Sequence, residues 1–324
     1  MTRLQANLLL LVVALIWGSA FVAQVHGMAG VGPMTFTGLR FLLGTLVVAP
    51  FAWKEWQTLR RCAQLAGQEA TDGPRPLGRR HAWRVVGLGV LLLFGAAFQQ
   101  IGIQTTTVTN AGFLTALYVP LVPLLSWLLV KHLPHWSVWP AAAACLYGTY
   151  LLSGAADAAG TAGGLAIGSG DAWVIASSLF WAAHVLYVGR VADRIDAPFL
   201  VAAGQFIVCG VASLAWGLAT EAFSLRGLLS AAWPIAYAGF LSVGIGFTGQ
   251  VIGQRYSHAA DAAILLSAET LFAAVFGALL MGDRLTASGW LGGTLIFTAI
   301  LAVQLMPLLG AGMRRVVARG SSDL

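Results

Sequence analysis

Ten apolar stretches, each close to the length needed to cross a bilayer, leave this chain almost nowhere to fold but in a membrane. They cover 6–25, 34–53, 84–103, 110–130, 137–153, 171–189, 198–218, 231–251, 261–281 and 288–309. An α-helix rises about 1.5 Å per residue, so roughly 20 apolar residues span the hydrocarbon layer. One such run could be the core helix of a soluble protein; ten could not. Charge agrees, because only 9% of the residues are charged, against about 25% in soluble domains. The expected fold class is therefore an all-α polytopic membrane protein of ten transmembrane helices. The first run follows Arg3 in the manner of a signal peptide, yet nine more runs follow it, and it reads as a retained span.

The basic residues sit in the gaps between the runs. Placing the amino terminus in the cytoplasm puts Arg3, the 54–84 segment, Lys131, Arg190, Arg194, Arg255, Arg314, Arg315 and Arg319 on one side. Arg226 and Arg284 fall on the other, and Arg40 lies within a span. Such a bias orients a polytopic protein, and it predicts both termini in the cytoplasm of a bacterial cytoplasmic (inner) membrane. The same scatter argues against a nucleic-acid face, which needs its positive charge gathered on one surface. The long hydrophilic segment 54–83 reads as a cytoplasmic loop with an amphipathic turn near Trp56–Leu65 on the membrane surface. Cys62, Cys145 and Cys209 have no disulfide or metal-ligand spacing, so no metal or other cofactor is expected.

The halves resemble one another. IWGSAF around Trp17 matches LFWAAH around Trp181, and GLRFLLG around Arg40 matches AGQFIVCG around Gln205. QIGIQ from Gln100 then matches QVIGQ from Gln250, and LLVKHL matches LLMGDRL. The interval between matched residues shortens midway, because the 54–83 loop has only the short 219–230 connection as its counterpart. Each half holds five spans, and an odd number turns the second half over in the membrane. The expected arrangement is a 5+5 inverted repeat, with 1–153 and 171–309 as the repeats and 310–324 as a cytoplasmic tail. Repeats of this kind build transporters whose substrate site lies at the midplane between the halves.

ALIWGSAFVAQ, TFTGLRFLLG and QQIGIQTTTVTNAGFLTALYVPLVPLL in the first half resemble the EamA-type branch of the drug/metabolite transporter superfamily. So do FWAAHVLYVGR, GQRYSHAADAAILLSAETLFAAVFGALLMGDRLT and GGTLIFTAILAVQ in the second. The resemblance covers essentially the whole chain. It implies ten helices, cytoplasmic termini, and export or exchange of amino acids, metabolites or drugs by a secondary mechanism. The family often closes its fourth and ninth spans with Gly-Glu, where this chain has Val130-Lys131 and Gly282-Asp283.

Polar residues within the apolar runs are the candidate site, because such groups are costly at membrane depth and face a bundle interior or a water-filled path. Glu269 lies near the middle of the ninth run and could bind a proton or the substrate; otherwise it is a structural acid or a counterion to Arg40. Arg40, about two turns into the second run, could hold a substrate carboxylate through its planar fork, or snorkel, or pair internally. Gln205 is its neutral counterpart. His184 could relay protons or simply hydrogen-bond a neighbour. Gln99, Gln100, Gln104, Gln250 and Gln254 could line a polar cavity or join helices; Gln100 and Gln250 stand out because they correspond in the repeat. Trp17 and Trp181 lie too deep for interface anchors and read as cavity walls, with Asn110 and Tyr118 as further lining. Gly112, Gly148, Gly277 and Gly292-Gly293 are expected at close helix contacts, and Pro120 and Pro123 should bend the fourth span.

No GxxxxGK[ST] segment is present, so ATP hydrolysis within this chain is excluded as the driving force. The expected activity is secondary transport by alternating access, driven by protons, exchange or the solute's own gradient. Its partners are a small-molecule substrate, protons as a second passenger, and the lipid bilayer. The Arg40/Glu269 pair and the aromatic walls suit a zwitterionic or amphipathic solute. A facilitative uniporter is the alternative of the same fold. A membrane enzyme acting on a lipid-linked substrate would need clustered acids, an HExxH or a GxSxG, which the sequence lacks. Monomer and homodimer both remain open.

Overall fold

The structure is a computed structural model, and it describes residues 1–66, 78–105, 108–131, 133–152, 168–281 and 286–302. Its helices are α1 (Arg3–Met28), α2 (Pro33–Ala66), α3 (Arg79–Ile103), α4 (Val108–Thr115), α5 (Tyr118–Val130) and α6 (Val138–Leu152). They continue as α7 (Ser169–Ile195), α8 (Pro198–Thr220), α9 (Leu225–Tyr237), α10 (Thr248–Gln254), α11 (Ala259–Leu266), α12 (Ala268–Phe276) and α13 (Ala287–Ala302). A π-helical stretch, Ala238–Phe247, joins α9 to α10, and another, Gly277–Met281, follows α12. Among the described residues, seven continuous helical runs are long and apolar enough to cross a membrane. The protein is an all-helical, multi-pass membrane protein.

Contacts at the helix ends sort the bundle into two faces. At one, Arg3 pairs with Asp261, Arg255 pairs with Asp196, and Glu55 accepts the backbone N–H of Leu200 at 2.9 Å. At the other, Glu221 accepts the backbone N–H groups of Met34 (2.7 Å) and Thr35 (2.9 Å), closing the start of α2. Gly30 meets Gly227 there, and Gly102 meets Gly170. Arg3, Lys131, Arg190 and Arg255 all lie at the first face, which is therefore called the basic end. Outward, Leu46, Trp53, Leu129, Trp233, Leu279 and Trp290 are exposed. An apolar exterior is what a bilayer requires.

The spans differ from their sequence-derived limits in four places. The second does not stop at 53. Good helix formers carry α2 on to Ala66, and Arg60 stacks 4.5 Å from the ring centroid of Trp56. The expected surface turn at 56–65 is thus the end of α2, and 67–77 of the expected loop lies outside the described residues. The fourth span is two helices. Pro120 has no N–H to offer the carbonyl of Ala116; Val119 takes it instead at 3.0 Å, a tighter turn that ends α4 and starts α5. The ninth breaks at Ser267, whose hydroxyl returns to the carbonyl of Ile264 (2.7 Å), while Thr270 Oγ1 donates to the carbonyl of Ser267 (2.8 Å). The eighth starts at Leu225 and widens through the π-helical stretch, whose glycines Gly239, Gly244 and Gly246 give little helical preference.

Of the glycines expected at close contacts, Gly148 meets the carbonyl of Gly292, whereas Gly112 faces open space and serves no contact. The 310–324 tail and the Gly282-Asp283 pair lie outside the described residues. Residues matched between the halves meet in the core: Phe41 on α2 and Phe206 on α8 have ring centroids 6.0 Å apart.

Candidate functional site

The broken helices converge on one narrow cavity, about 60 Å³ in this conformation. Its wall draws Trp17, Phe21, Gln24, Arg40, Gln99, Thr115 and Tyr118 from the first half of the chain. Trp181, Val185, Ser242, Phe247, Gln250, Leu266 and Glu269 come from the second. Thr115 and Tyr118 flank the α4/α5 break, Leu266 and Glu269 flank the α11/α12 break, and Ser242 and Phe247 belong to the π-helical stretch. Interrupted helices at a membrane protein's substrate site supply backbone groups that a continuous helix keeps for itself.

Phe247 is the hub of the aromatic wall. Trp17 lies 4.6 Å from it and Trp181 6.0 Å, the latter stacked at 20°. The wide π turn exposes the carbonyl of Ser242, and Trp17 Nε1 donates to it at 3.1 Å. Gly246 makes room for that indole, since a Cβ there would stand 2.7 Å from Trp17 Nε1. Trp181 has no such partner: its Nε1 is buried and unpaired.

Glu269 is in the first turn of α12 and only 9% exposed. Gly18 of α1 sets its position, because a Cβ at Gly18 would lie 2.7 Å from the Glu269 carbonyl oxygen and 2.6 Å from Phe272 Cβ. Any larger residue would push α12 away. Arg40 is 4% exposed, with its guanidinium 5.5 Å from the ring centroid of Phe36 and 5.2 Å from that of Phe41. Its Nε has no hydrogen-bond partner. The ion pairs among the described residues are Arg3–Asp261 and Arg255–Asp196, so Arg40 and Glu269 share a cavity without neutralising each other.

Gln24 Oε1 and Gln250 Oε1 are likewise buried without partners. An unmade hydrogen bond at a buried group costs about 1–3 kcal/mol, more for a charged one, whereas an interhelical side-chain bond in a membrane returns about 0.6. Four unpaired groups around one space are thus poor structural glue.

Of the remaining candidates, Gln99 reaches the wall and Gln100, His184 and Gln205 do not. Gln99, not Gln100, faces the cavity, with its Nε2 donating to Thr115 Oγ1 at 2.9 Å. Gln100 is fully buried behind it and donates to Met28 Sδ at 3.4 Å. His184 and Gln205 bond to each other across α7 and α8, Nε2 to Oε1 at 2.8 Å, in the packed core. The side chain of Asn110 lies outside the described residues. Gln24, Phe21, Thr115, Ser242 and Phe247 are wall residues that the sequence reading did not single out. Gln24 and Phe21 had a signal, since Trp17, Phe21 and Gln24 recur at helical spacing on one face of α1.

A second cavity of about 910 Å³ opens at the basic end, with Arg3, Lys131, Arg190, Asp193, Arg255 and Asp261 in its wall. One turn of helix separates it from the first. Val185 and Gln250 line the central cavity, Leu186 and Gln254 the basic-end one. Gln250 Nε2 donates to Gln254 Oε1, and Gln254 Nε2 to the carbonyl of Val185, both at 2.8 Å. This glutamine relay ties α10 to α7 in the partition. Lys131, at the end of α5, is held at φ 59°.

Known proteins give this geometry a context. The model of the EamA-like transporter family matches twice, over residues 4–154 and 168–305. An uncharacterized transporter of Archaeoglobus fulgidus is 28% identical over 304 residues, 94% of this chain and 87% of that protein. The uncharacterized transporter YwfM of Bacillus subtilis is 23% identical over 323 residues, covering 93% and 94% of the two chains. A solved structure, described only as the crystal structure of a protein, shares the fold. Its TM-score is 0.72 at 21% identity, over 94% of this chain and 98% of that one.

Proposed function

The chain belongs to the EamA-like transporter family, and from that premise we propose a secondary transporter that exports or exchanges a small solute by alternating access. The membership points to a membrane transporter rather than an enzyme. The observation that carries the mechanism is the central cavity, walled equally by the two halves at the helix interruptions and holding an unpaired Glu269. In this reading the halves are inverted repeats, and the inequality of their charges makes the cavity polar on a pseudo-symmetric scaffold. The thin partition between the central and basic-end cavities is what opens and closes. Breaking the Gln250–Gln254–Val185 relay would join them, while a matching closure seals the other side. The basic end faces the cytoplasm, with both termini there, in a cytoplasmic membrane.

Glu269 is the coupling group. Arg40 and Tyr118 are the other titratable groups in the wall, and His184 stands behind it against Phe247. An acid that shares a small cavity with the solute can release its proton only in exchange for another favourable contact. Where the solute brings an ammonium or other donor group to the ionised Glu269, proton and solute compete, and a pH gradient drives the solute outward. Reconstituted protein should accumulate solute against its gradient when a pH gradient is imposed, and Glu269→Gln should abolish that accumulation while sparing solute–solute exchange. Accumulation that persists in the variant would reduce the acid to a structural role. Exchange with no response to pH in wild type would leave a facilitative uniporter or exchanger.

A further inference from the structure

We propose that Arg40 is the anion seat of the central cavity and that the solute carries a carboxylate ahead of an apolar body. This rests on the transporter reading above and adds the charge of its cargo. An arginine stays protonated in any protein environment, so it cannot escape the cost of burial by shedding its charge, as a lysine or an acid can. Arg40 is nevertheless buried at 4% exposure. It has ring faces on Phe36 and Phe41, a free Nε, and no ion pair among the described residues. Ring faces offset part of the charge but use none of its N–H donors. A bidentate carboxylate uses two at once.

The rest of the wall fits that occupant. Trp181 Nε1, also unpaired, is a second donor in the same wall. Phe21, Trp17 and Phe247 give an apolar face for the body of the solute. Gln24 Oε1 and Gln250 Oε1 are free acceptors for a hydroxyl or amino group on it. Approach from the basic end passes Lys131 and Arg190, with Arg3 and Arg255 held by Asp261 and Asp196 and with Asp193 opposing them, a lining that is net positive and favours anions. Gln205 in the second half is bonded to His184 and stands outside the wall, so the anion seat is single and the solute binds in one orientation.

Four probes with one aromatic body separate the charges: 3-phenylpropionate, phenylalanine, phenylalaninamide and phenethylamine. Their exchange would be measured in proteoliposomes at one pH, and their binding by quenching of tryptophan fluorescence in detergent. Wild type should take the two carboxylates and refuse the two cations. Arg40→Gln should weaken carboxylate binding about tenfold to a hundredfold, the loss of a charge-assisted pair of hydrogen bonds, and Arg40→Lys should recover part of it. Should Arg40→Gln fail to fold, the wild-type ranking of phenylalanine against its amide still decides the matter. Transport of the cations in preference to the carboxylates would overturn the carboxylate seat and leave the transporter reading standing. Transport of none of the four would overturn the carboxylate seat, while the transporter reading is tested separately by pH-driven accumulation. Full carboxylate binding in an Arg40→Gln, Glu269→Gln double variant would show that Arg40 serves only to neutralise Glu269, and would also overturn the proposal.

Discussion

Arg40 and Gln205 occupy matching places in the two halves, and they are put to opposite use. Arg40 stands in the cavity wall with its Nε unpaired and its charge uncompensated. Gln205 turns into the core and gives its carbonyl oxygen to His184 at 2.8 Å. At this position the first half contributes a side chain to the cavity wall, and the second uses the matching helical position to join two helices. Gln205 Nε2 is also buried without a partner, so a polar residue in a membrane span becomes a binding candidate when it is unanswered and stands in the cavity wall. Depth alone does not decide it.

The largest expected effect tests the open side of this comparison. Glu269→Gln should cost all pH-driven accumulation, measured as uptake under an imposed gradient, while solute exchange continues. Gly18→Leu should come next. A side chain there collides with the Glu269 carbonyl and Phe272, and overpacking of this kind costs about 1–3 kcal/mol. Transport should fall about tenfold, and thermal unfolding in detergent should come earlier. Transport at the wild-type rate would mean that the α1/α12 contact does not position the acid.

The closed side is tested by Gln205→Leu. His184 Nε2 would lose its partner in the core, at about 1–3 kcal/mol of stability, seen as a lower unfolding temperature. Affinity for solute should stay at the wild-type level, because Gln205 does not reach the cavity. A large affinity change with no change in stability would reverse the assignment of the two residues. The smallest effect is expected for Trp17→Phe. It keeps the aromatic wall but removes the bond to the Ser242 carbonyl, worth about 1 kcal/mol, and should weaken binding a few-fold in a fluorescence titration.

Much of this site was legible because polar residues in apolar runs are few. Glu269, Arg40, Trp17, Trp181, Gln250 and Tyr118 all proved to line one cavity. Gln100 was preferred to Gln99 on its match to Gln250. Neighbouring helix residues point about 100° apart, so which of them faces the cavity depends on how α3 is rotated against α7 and α8. His184 stood out for its chemistry, yet it bonds Gln205 in the packed core and lies outside the cavity wall, with its Nδ1 unpaired. Phe247 could not be found at all, because an aromatic residue in an apolar run carries no mark of its own. Its place at the hub follows from the π-helical stretch, which adds residues to the turn and re-aims every side chain beyond it.

What the sequence determined is the class of molecule. The apolar runs demand helices in a membrane, because a continuous run of about 20 apolar residues suits a helix that satisfies its own N–H and C=O groups, not the short alternating strands of a barrel. The cost of polar groups at depth marked many of the residues that line the central cavity. Tertiary structure decided where the helices break and which polar atoms remain unpaired. Pro120 announced the α4/α5 interruption, but nothing local required the break at Ser267 or the widening at Ala238–Phe247. Whether a buried side chain is glue or a binding group depends on the atoms opposite it. Those belong to helices far away in the chain, and only packing brings them together.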